Sequence, residues 1–414
     1  MHMRMISLKN DRFIHTALHL QKIMNRTATI VPVRQLMLEY GMLTGLDPVG
    51  VQPRRYLWTD AFAVCNYLAL FSGTNDDMYR QLALRLIDQV HHTLGQHRTD
   101  DPRNGWISGL SSQEGELHPT IGGLRIGKLQ RERGPNEYYN VEQEWDQDGQ
   151  YYHYLTKWMH ALSRMGHVAG SPVYARWAIE LAHTAHARFT YLQKNQSRKN
   201  MYWKMSIDLT RPLVFSMGQH DPLDGLVTYN ELQLAATRDF GQSLQPDLTQ
   251  EIADMTDICR GIRLFTDDPL GIGGLLSDAS RIIQLIIQGG MQYSDLLDSV
   301  LDSAQEGAAF FTECGSLELP ATHRLPFREL GLSIGLSGVR KMPDWIRNNP
   351  GLFDRAGPLQ RTIKILLDYM PFKEKIEEFW LDKKNRESGT WTGHRDINMV
   401  MLATSLAPEG FLEI

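Results

Sequence analysis

The chain has 414 residues, 42% of them hydrophobic, enough to bury a large core and to suggest two or three domains unless one closed architecture absorbs the length. A net charge of −5 and a pI near 6.3 argue against a general nucleic-acid or anionic-membrane binder. Three scattered cysteines (Cys65, Cys259, Cys314), no CxxC or HExxH, no apolar signal-peptide core in MHMRMISLKNDRF and no apolar run of about 18 residues point to a cytoplasmic protein with free thiols.

In chain order, an amphipathic helix is expected from about Arg12 to Met24, with Phe13, Leu18, Leu20 and Ile23 as its stripe, after which Pro32, Pro48 and Pro53 punctuate the chain. A helix apolar on most of its circumference begins at Trp58, WTDAFAVCNYLALF, and helices of that kind are buried. A surface helix follows from Asp76, its N-cap, to about Leu94. That pairing recurs. The buried helix near Gln150, opened by WDQDGQYYHY, precedes a surface helix from Pro172 to Leu192, and Asp224 to Arg238 precedes Asp247 to Arg263. Gly271 to Gln288 precedes Tyr293 to Phe311, and Phe327 to Arg340 precedes Arg355 to Tyr369, continued as Phe372 to Trp380. A last buried helix follows TWTGHRD near residue 392 with nothing after it, so the N-terminal helix is free to cover it. Six buried helices with covering partners predict two concentric rings of helices in one all-α domain spanning 1–414.

Gly271, Gly273, Gly274, Gly331, Gly335 and Gly338 lie in apolar helical segments, where close helix approach would offset their cost of about 1 kcal/mol each; the first three fit a loop before the helix equally well. Two long insertions, at about 95–145 and 194–222, each join a surface helix to a buried one and so are expected at the same end of the ring.

The six-fold recurrence of a polar or aromatic lead-in before a buried helix, in segments such as WTDAF, WDQDGQYYHY and GTWTG, resembles the (α/α)6 toroid proteins of the six-hairpin glycosidase class over nearly the whole chain. The resemblance implies a double ring of six helical hairpins whose active site lies in the cavity where loops enter the inner helices, in glycoside hydrolases, unsaturated uronyl hydrolases or sugar 2-epimerases. For the epimerase branch it implies histidines near late inner helices, where His323 and His394 stand, although the local sequences there depart from the epimerase pattern.

Glycoside cleavage needs one protonated carboxyl and one carboxylate. Asp60, Asp146, Asp148, Asp221, Asp224, Asp268 and Asp396 stand at or near expected inner-helix starts, where capping is the ordinary role of any single Asp. Asp60 with Asp146 or Asp148 form the preferred catalytic set, and His220, in GQHDPLDG, and His394, in TGHRD, are the expected helpers. Aromatic planes suit the C–H faces of sugars and polar side chains suit their hydroxyls, so Trp58, His118, Tyr138, Trp145, Trp203, Gln219, Asp221, His323 and Trp391 are the expected substrate contacts. GGLRIGK, Gly122 to Lys128, matches a phosphate loop in letters only, since Leu129 replaces the Ser or Thr that binds magnesium and no strand is expected before it. Arg125, Lys128, Arg131 and Arg133 make a basic loop suited to solvent or to an acidic sugar. The His15/His19 and His183/His186 pairs lack a completing acid or cysteine, and neither a metal nor a cofactor is expected.

Hydrolysis of an oligosaccharide or glycoside is the leading functional expectation. The alternatives are a sugar 2-epimerase working through His323 and His394 and a non-catalytic helical binding or scaffold protein. The expected partner is a small-molecule or oligosaccharide substrate, with no nucleic acid and no membrane; nothing in the sequence sets an oligomeric state.

Overall fold

The computed structural model describes residues 30–50, 52–194, 198–244, 247–292, 294–353 and 357–414. The helix expected over Arg12 to Met24 lies outside these residues. A helix occupies residues 30–43 instead (α1), running through Pro32, which lies in its first described turn.

The helices that follow are α2 (Leu57–Thr74), α3 (Asp77–Leu94), the short α4 (Ser112–Leu117) and α5 (Val141–Asp146), α6 (Tyr152–Ala169), α7 (Pro172–Phe189), α8 (Asp221–Phe240) and α9 (Thr249–Cys259). The second half adds α10 (Pro269–Ile287), α11 (Asp295–Glu313), α12 (Pro326–Asn348), α13 (Gly357–Leu367), α14 (Met370–Leu381), α15 (Gly389–Thr392), α16 (Arg395–Leu406) and α17 (Glu409–Leu412). Two kinds of long helix alternate. In α2, every residue from Leu57 to Leu68 is buried, whereas α3 buries a stripe through Tyr79, Leu82, Ala83, Leu86, Ile87 and Val90 and starts where the Asp76 side chain accepts from the Met78 amide.

The buried helices close a ring: α2 packs on α6, α6 on α8, α8 on α10, α10 on α12, α12 on α16, and α16 returns to α2. Outside it, α3 covers α2, α7 covers α6, α9 covers α8, α11 covers α10, and α13 with α14 cover α12. The seam between α16 and α2 is covered by α1, whose Met37 carbonyl accepts from the Tyr67 hydroxyl at 2.9 Å and whose Glu39 pairs with Arg395. This is an all-α (α/α)6 toroid, a double ring of six hairpins.

Glycine sets the tightest seam. Gly271, Gly273 and Gly274 belong to the helix, not to a loop, and a Cβ on Gly273 would land on the Gly331 carbonyl of α12. One turn on, a Cβ on Gly335 would come within 2.6 Å of the Gly273 carbonyl oxygen. Without side chains here, α10 and α12 touch backbone to backbone. By length and composition α10 is the one described helix able to cross a membrane, but 78% of its 18-residue apolar window is buried inside the protein.

The two insertions meet. The strand β1 (Gln150–Tyr151) pairs antiparallel with β4 (Lys204–Met205), which pairs with β5 (Pro212–Val214); β2 (Thr190–Leu192) and β3 (Lys199–Met201) form a separate hairpin. The three-stranded sheet ties the end of the first insertion to the second, at the start of α6.

Candidate functional site

A cavity of about 620 Å³ opens at one end of the ring, lined by the N-terminal parts of all six inner helices and roofed by both insertions. Each inner helix contributes: Trp58 and Phe62 from α2, His153, Tyr154 and Lys157 from α6, Asp221 and Asp224 from α8, Gly271, Ser277 and Asp278 from α10, Phe327 and Arg328 from α12, and Ile397 and Met401 from α16. Six N-termini point the positive ends of their peptide dipoles at one space, which accounts for the Asp residues at these helix starts. Phe411 of α17, stacked on Phe62 at 4.2 Å, closes the floor.

One wall is aromatic. Trp203 stands 4.8 Å from Trp145 and 4.9 Å from Tyr151, and its ring is parallel to that of His153 at 6.4 Å. Tyr56 and Tyr154 share a 2.7 Å hydroxyl–hydroxyl bond beside them. Planar faces above a polar floor suit a ligand with both C–H and hydroxyl surfaces.

The floor holds a charged network. Lys157 donates to Asp224 at 2.6 Å, and Arg281 reaches Asp278 at 3.3 Å, Asp224 at 3.7 Å and Glu231 at 2.6 Å. Glu231 also binds Nδ1 of His160 at 2.7 Å. Burial would raise the Asp224 carboxyl, but Lys157 and Arg281 outweigh it and hold it below the usual range. Burial and the Asp224 charge push Asp278 the other way, up to about 6. Two neighbouring carboxyls pushed apart in this way, with Asp278 keeping its proton up to about pH 6, are the kind of pair that acid/base catalysis uses.

His220 caps α8 and lines the cavity, with Nε2 at 2.8 Å from the Leu264 carbonyl. A carbonyl only accepts, so Nε2 carries the proton and Nδ1 the lone pair. Burial lowers the pKa of this ring. His394 precedes α16 and lines the cavity beside Phe327, whose ring it meets edge-on at 5.8 Å.

Of the residues expected from sequence, Asp146, His220, His394, Trp58, Trp145, Trp203, Gln219 and Asp221 line this cavity. Asp60 does not, which corrects its assignment: it is buried behind α2, accepting from the Tyr56 amide at 2.9 Å, from Arg55 at 3.3 Å and from the Tyr40 hydroxyl. Asp148 is likewise out of the lining, buried against Arg125 at 2.6 Å and the Gly127 and Lys128 amides. Sequence locates both acids near inner-helix starts but does not set which way a carboxylate faces, and each turns to the nearest buried arginine. His118 pairs with Glu180 of α7 at 2.7 Å, outside the ring, and Tyr138 is 97% exposed. His323 is exposed on a turn beside Thr322, and Trp391 is buried against Trp380 at 5.7 Å; neither reaches the cavity.

Lys157, Asp278, Arg281 and Arg328 are the polar groups that sequence reading missed. Asp278 and Arg281 carried a usable signal, since ionisable side chains inside the apolar run GIGGLLSDASRIIQLI must find partners when buried.

A second depression of about 650 Å³ lies at the other end of the ring, lined by Arg164, His167, Lys341 and Trp345 among others. Its cations stand by the C-terminal ends of inner helices, where they complement the peptide dipoles, and it lacks the aromatic wall.

No protein-family model and no curated protein sequence matches the chain. Solved structures similar to it include a cellobiose 2-epimerase from Bacillus thermoamylovorans B4167, at 10% identity and a TM-score of 0.42 over 77% of this chain and 76% of that one. Another is a sugar epimerase from a ruminal bacterium, at 9% identity and a TM-score of 0.45 over 85% of this chain and 87% of that one.

Proposed function

We propose that the cavity is the active site of a carbohydrate-processing enzyme that works by proton transfer, with 2-epimerisation of a reducing sugar as its reaction. The aromatic wall of Trp145, Tyr151 and Trp203 above a polar floor supports a sugar as the ligand. The observation that carries the reaction is the placement of His220 and His394. They stand at the starts of α8 and α16, which are three places apart in a six-membered ring and therefore opposite one another across the cavity. His220, held neutral by burial with its lone pair on Nδ1, is the natural base, and a second imidazole opposite can return a proton to the other face of the same carbon. The histidine pair differs from the one expected from sequence, with His220 in place of His323.

Hydrolysis is the second reading, supported by Asp224 and Asp278. Their oxygens contact one Arg281 nitrogen and so lie no farther apart than the sum of 3.7 and 3.3 Å, within reach of the carboxyl separations glycosidases use.

Proton NMR in D2O separates the two. Reducing mono- and disaccharides are incubated with the protein, and deuterium entering at C2 is followed together with any release of new reducing ends. Exchange at C2 that is lost in His220→Asn and His394→Asn supports epimerisation. Glycosidic cleavage without exchange, lost in Asp278→Asn, replaces it with hydrolysis. Sugar binding with neither reaction leaves a binding protein.

A further inference from the structure

Among the described residues, Lys128 is the cavity-lining lysine or arginine that has no ion-pair partner. Of the lysines and arginines that line the cavity, Lys157 is paired with Asp224 and Arg328 with Asp268, both at 2.6 Å, whereas Lys128 Nζ makes no hydrogen bond or ion pair among the described residues. It stands 5.6 Å from the Tyr151 ring centroid and 6.0 Å from that of Trp145, in the lining of the same cavity.

Its backbone is clamped in place. The Gly127 and Lys128 amides donate to one oxygen of buried Asp148 at 3.0 and 3.3 Å, Arg125 holds the other oxygen, and Arg98 donates to the Lys128 carbonyl at 2.7 Å. The acids behind this wall, Asp148 and Glu144, attract the Lys128 ammonium through space, but each is ion-paired with other cations. Asp148 already faces Arg125 and Arg98, and Glu144 faces Arg133 and Lys204. Asp146 attracts the ammonium through space from within the cavity but forms no ion pair with it. Buried Lys204 lies 5.3 Å from the same Tyr151 ring, a second positive charge at this wall. The dipoles of six helix N-termini add to that potential.

We infer that Lys128 receives an anionic substituent, a carboxylate or a phosphate, of the sugar in this cavity, which makes the substrate an acidic sugar. The inference rests on the carbohydrate reading above and deepens it. Burial and the Lys204 charge push the Lys128 ammonium down to about 8, and the charge of an arriving anion offsets both effects. Ion pairing in such a partly desolvated site is worth about tenfold or more in affinity.

The test is isothermal titration of wild type, Lys128→Met and Lys128→Arg with matched pairs: glucuronate against glucose, galacturonate against galactose, and glucose 6-phosphate against glucose. Wild type should prefer the acid of at least one pair by about tenfold or more, with the uronate and phosphate arms telling carboxylate from phosphate. Lys128→Met should bring that ratio to about one and Lys128→Arg should keep most of it, at unchanged melting temperatures. In wild type the preference should shrink between pH 7 and 9, a readout independent of any variant. Neutral sugars binding as well as acidic ones, or a preference that survives in Lys128→Met, overturns the inference and leaves the carbohydrate reading standing. Failure of every sugar to bind overturns both.

Discussion

Asp224 and Asp278, on neighbouring inner helices, reach the same guanidinium nitrogen of Arg281, at 3.7 and 3.3 Å. Lys157 lies on the Asp224 side, so the shared cation does not neutralise both carboxyls equally, and Asp278 keeps its proton up to about pH 6.

Stability should register that proton. The Asp278 carboxyl is raised on folding, so its contribution is greatest below the unfolded carboxyl range and is lost as pH rises through about 6. Asp278→Asn removes this loss while Arg281 keeps Glu231. The variant should therefore gain on wild type between pH 4 and pH 7 by roughly 2 kcal/mol in denaturant melts. A difference that stays flat across that range means Asp278 is ionised throughout.

Gly273→Ala and Gly274→Ala differ by one position and should differ in sign. The first drives a methyl into the Gly331 carbonyl and should cost about 3 kcal/mol. The second meets nothing within 4 Å and should gain about 0.5 to 1 kcal/mol from helix propensity. Thermal melts of the two variants decide it, and equal effects would sink the close approach of α10 and α12.

Asp60 and Asp146, grouped as catalytic candidates by sequence, should part in their effect on stability. Asp60→Asn leaves Arg55, whose side chain is fully buried, without its carboxylate and should destabilise by roughly 3 kcal/mol. Asp146→Asn alters an exposed group and should stay within about 0.5 kcal/mol of wild type. Chemical denaturation checks both; an Asp60→Asn protein as stable as wild type would show that Asp60 does not hold Arg55.

The His220 pKa is lowered by burial, so its base form persists to lower pH than a free imidazole allows. C2 exchange should accordingly hold its rate below pH 6.5 before falling. His220→Asn should lower the rate about a hundredfold or more with little change in sugar affinity. A rate that instead declines from pH 7.5 downwards would assign the base to another group.

The ring was legible because a helix buried on all sides leaves few ways to disguise itself: WTDAFAVCNYLALF and GIGGLLSDASRIIQLI read as core from composition alone. α1 was hidden by Pro32, which reads as a break yet lies in the first described turn of the helix. The cavity aromatics Trp58, Trp145 and Trp203 could be found because they flank buried helices or occupy the insertions. Asp60 and Asp148 misled because a helix start gives a carboxylate's position without its direction. Lys128 owes its place to a clamp of hydrogen bonds on Asp148, 20 residues along the chain, and no periodicity reports such a bond.

The ring closes between segments far apart in sequence. Asn66 of α2 donates to the Val400 carbonyl and accepts from Thr404 in α16, across separations of 334 and 338 residues. The entropy of so long a loop grows only logarithmically, by about 0.6 kcal/mol per doubling, so the equilibrium cost is modest. The kinetic cost is larger, because contacts of such high sequence separation form late and slow the search. Until α16 docks, the charged floor built on Arg281 and Asp278 has no sixth wall to shield it from water. Refolding should accordingly be slow, with helix content recovering well before the cavity becomes able to hold a ligand.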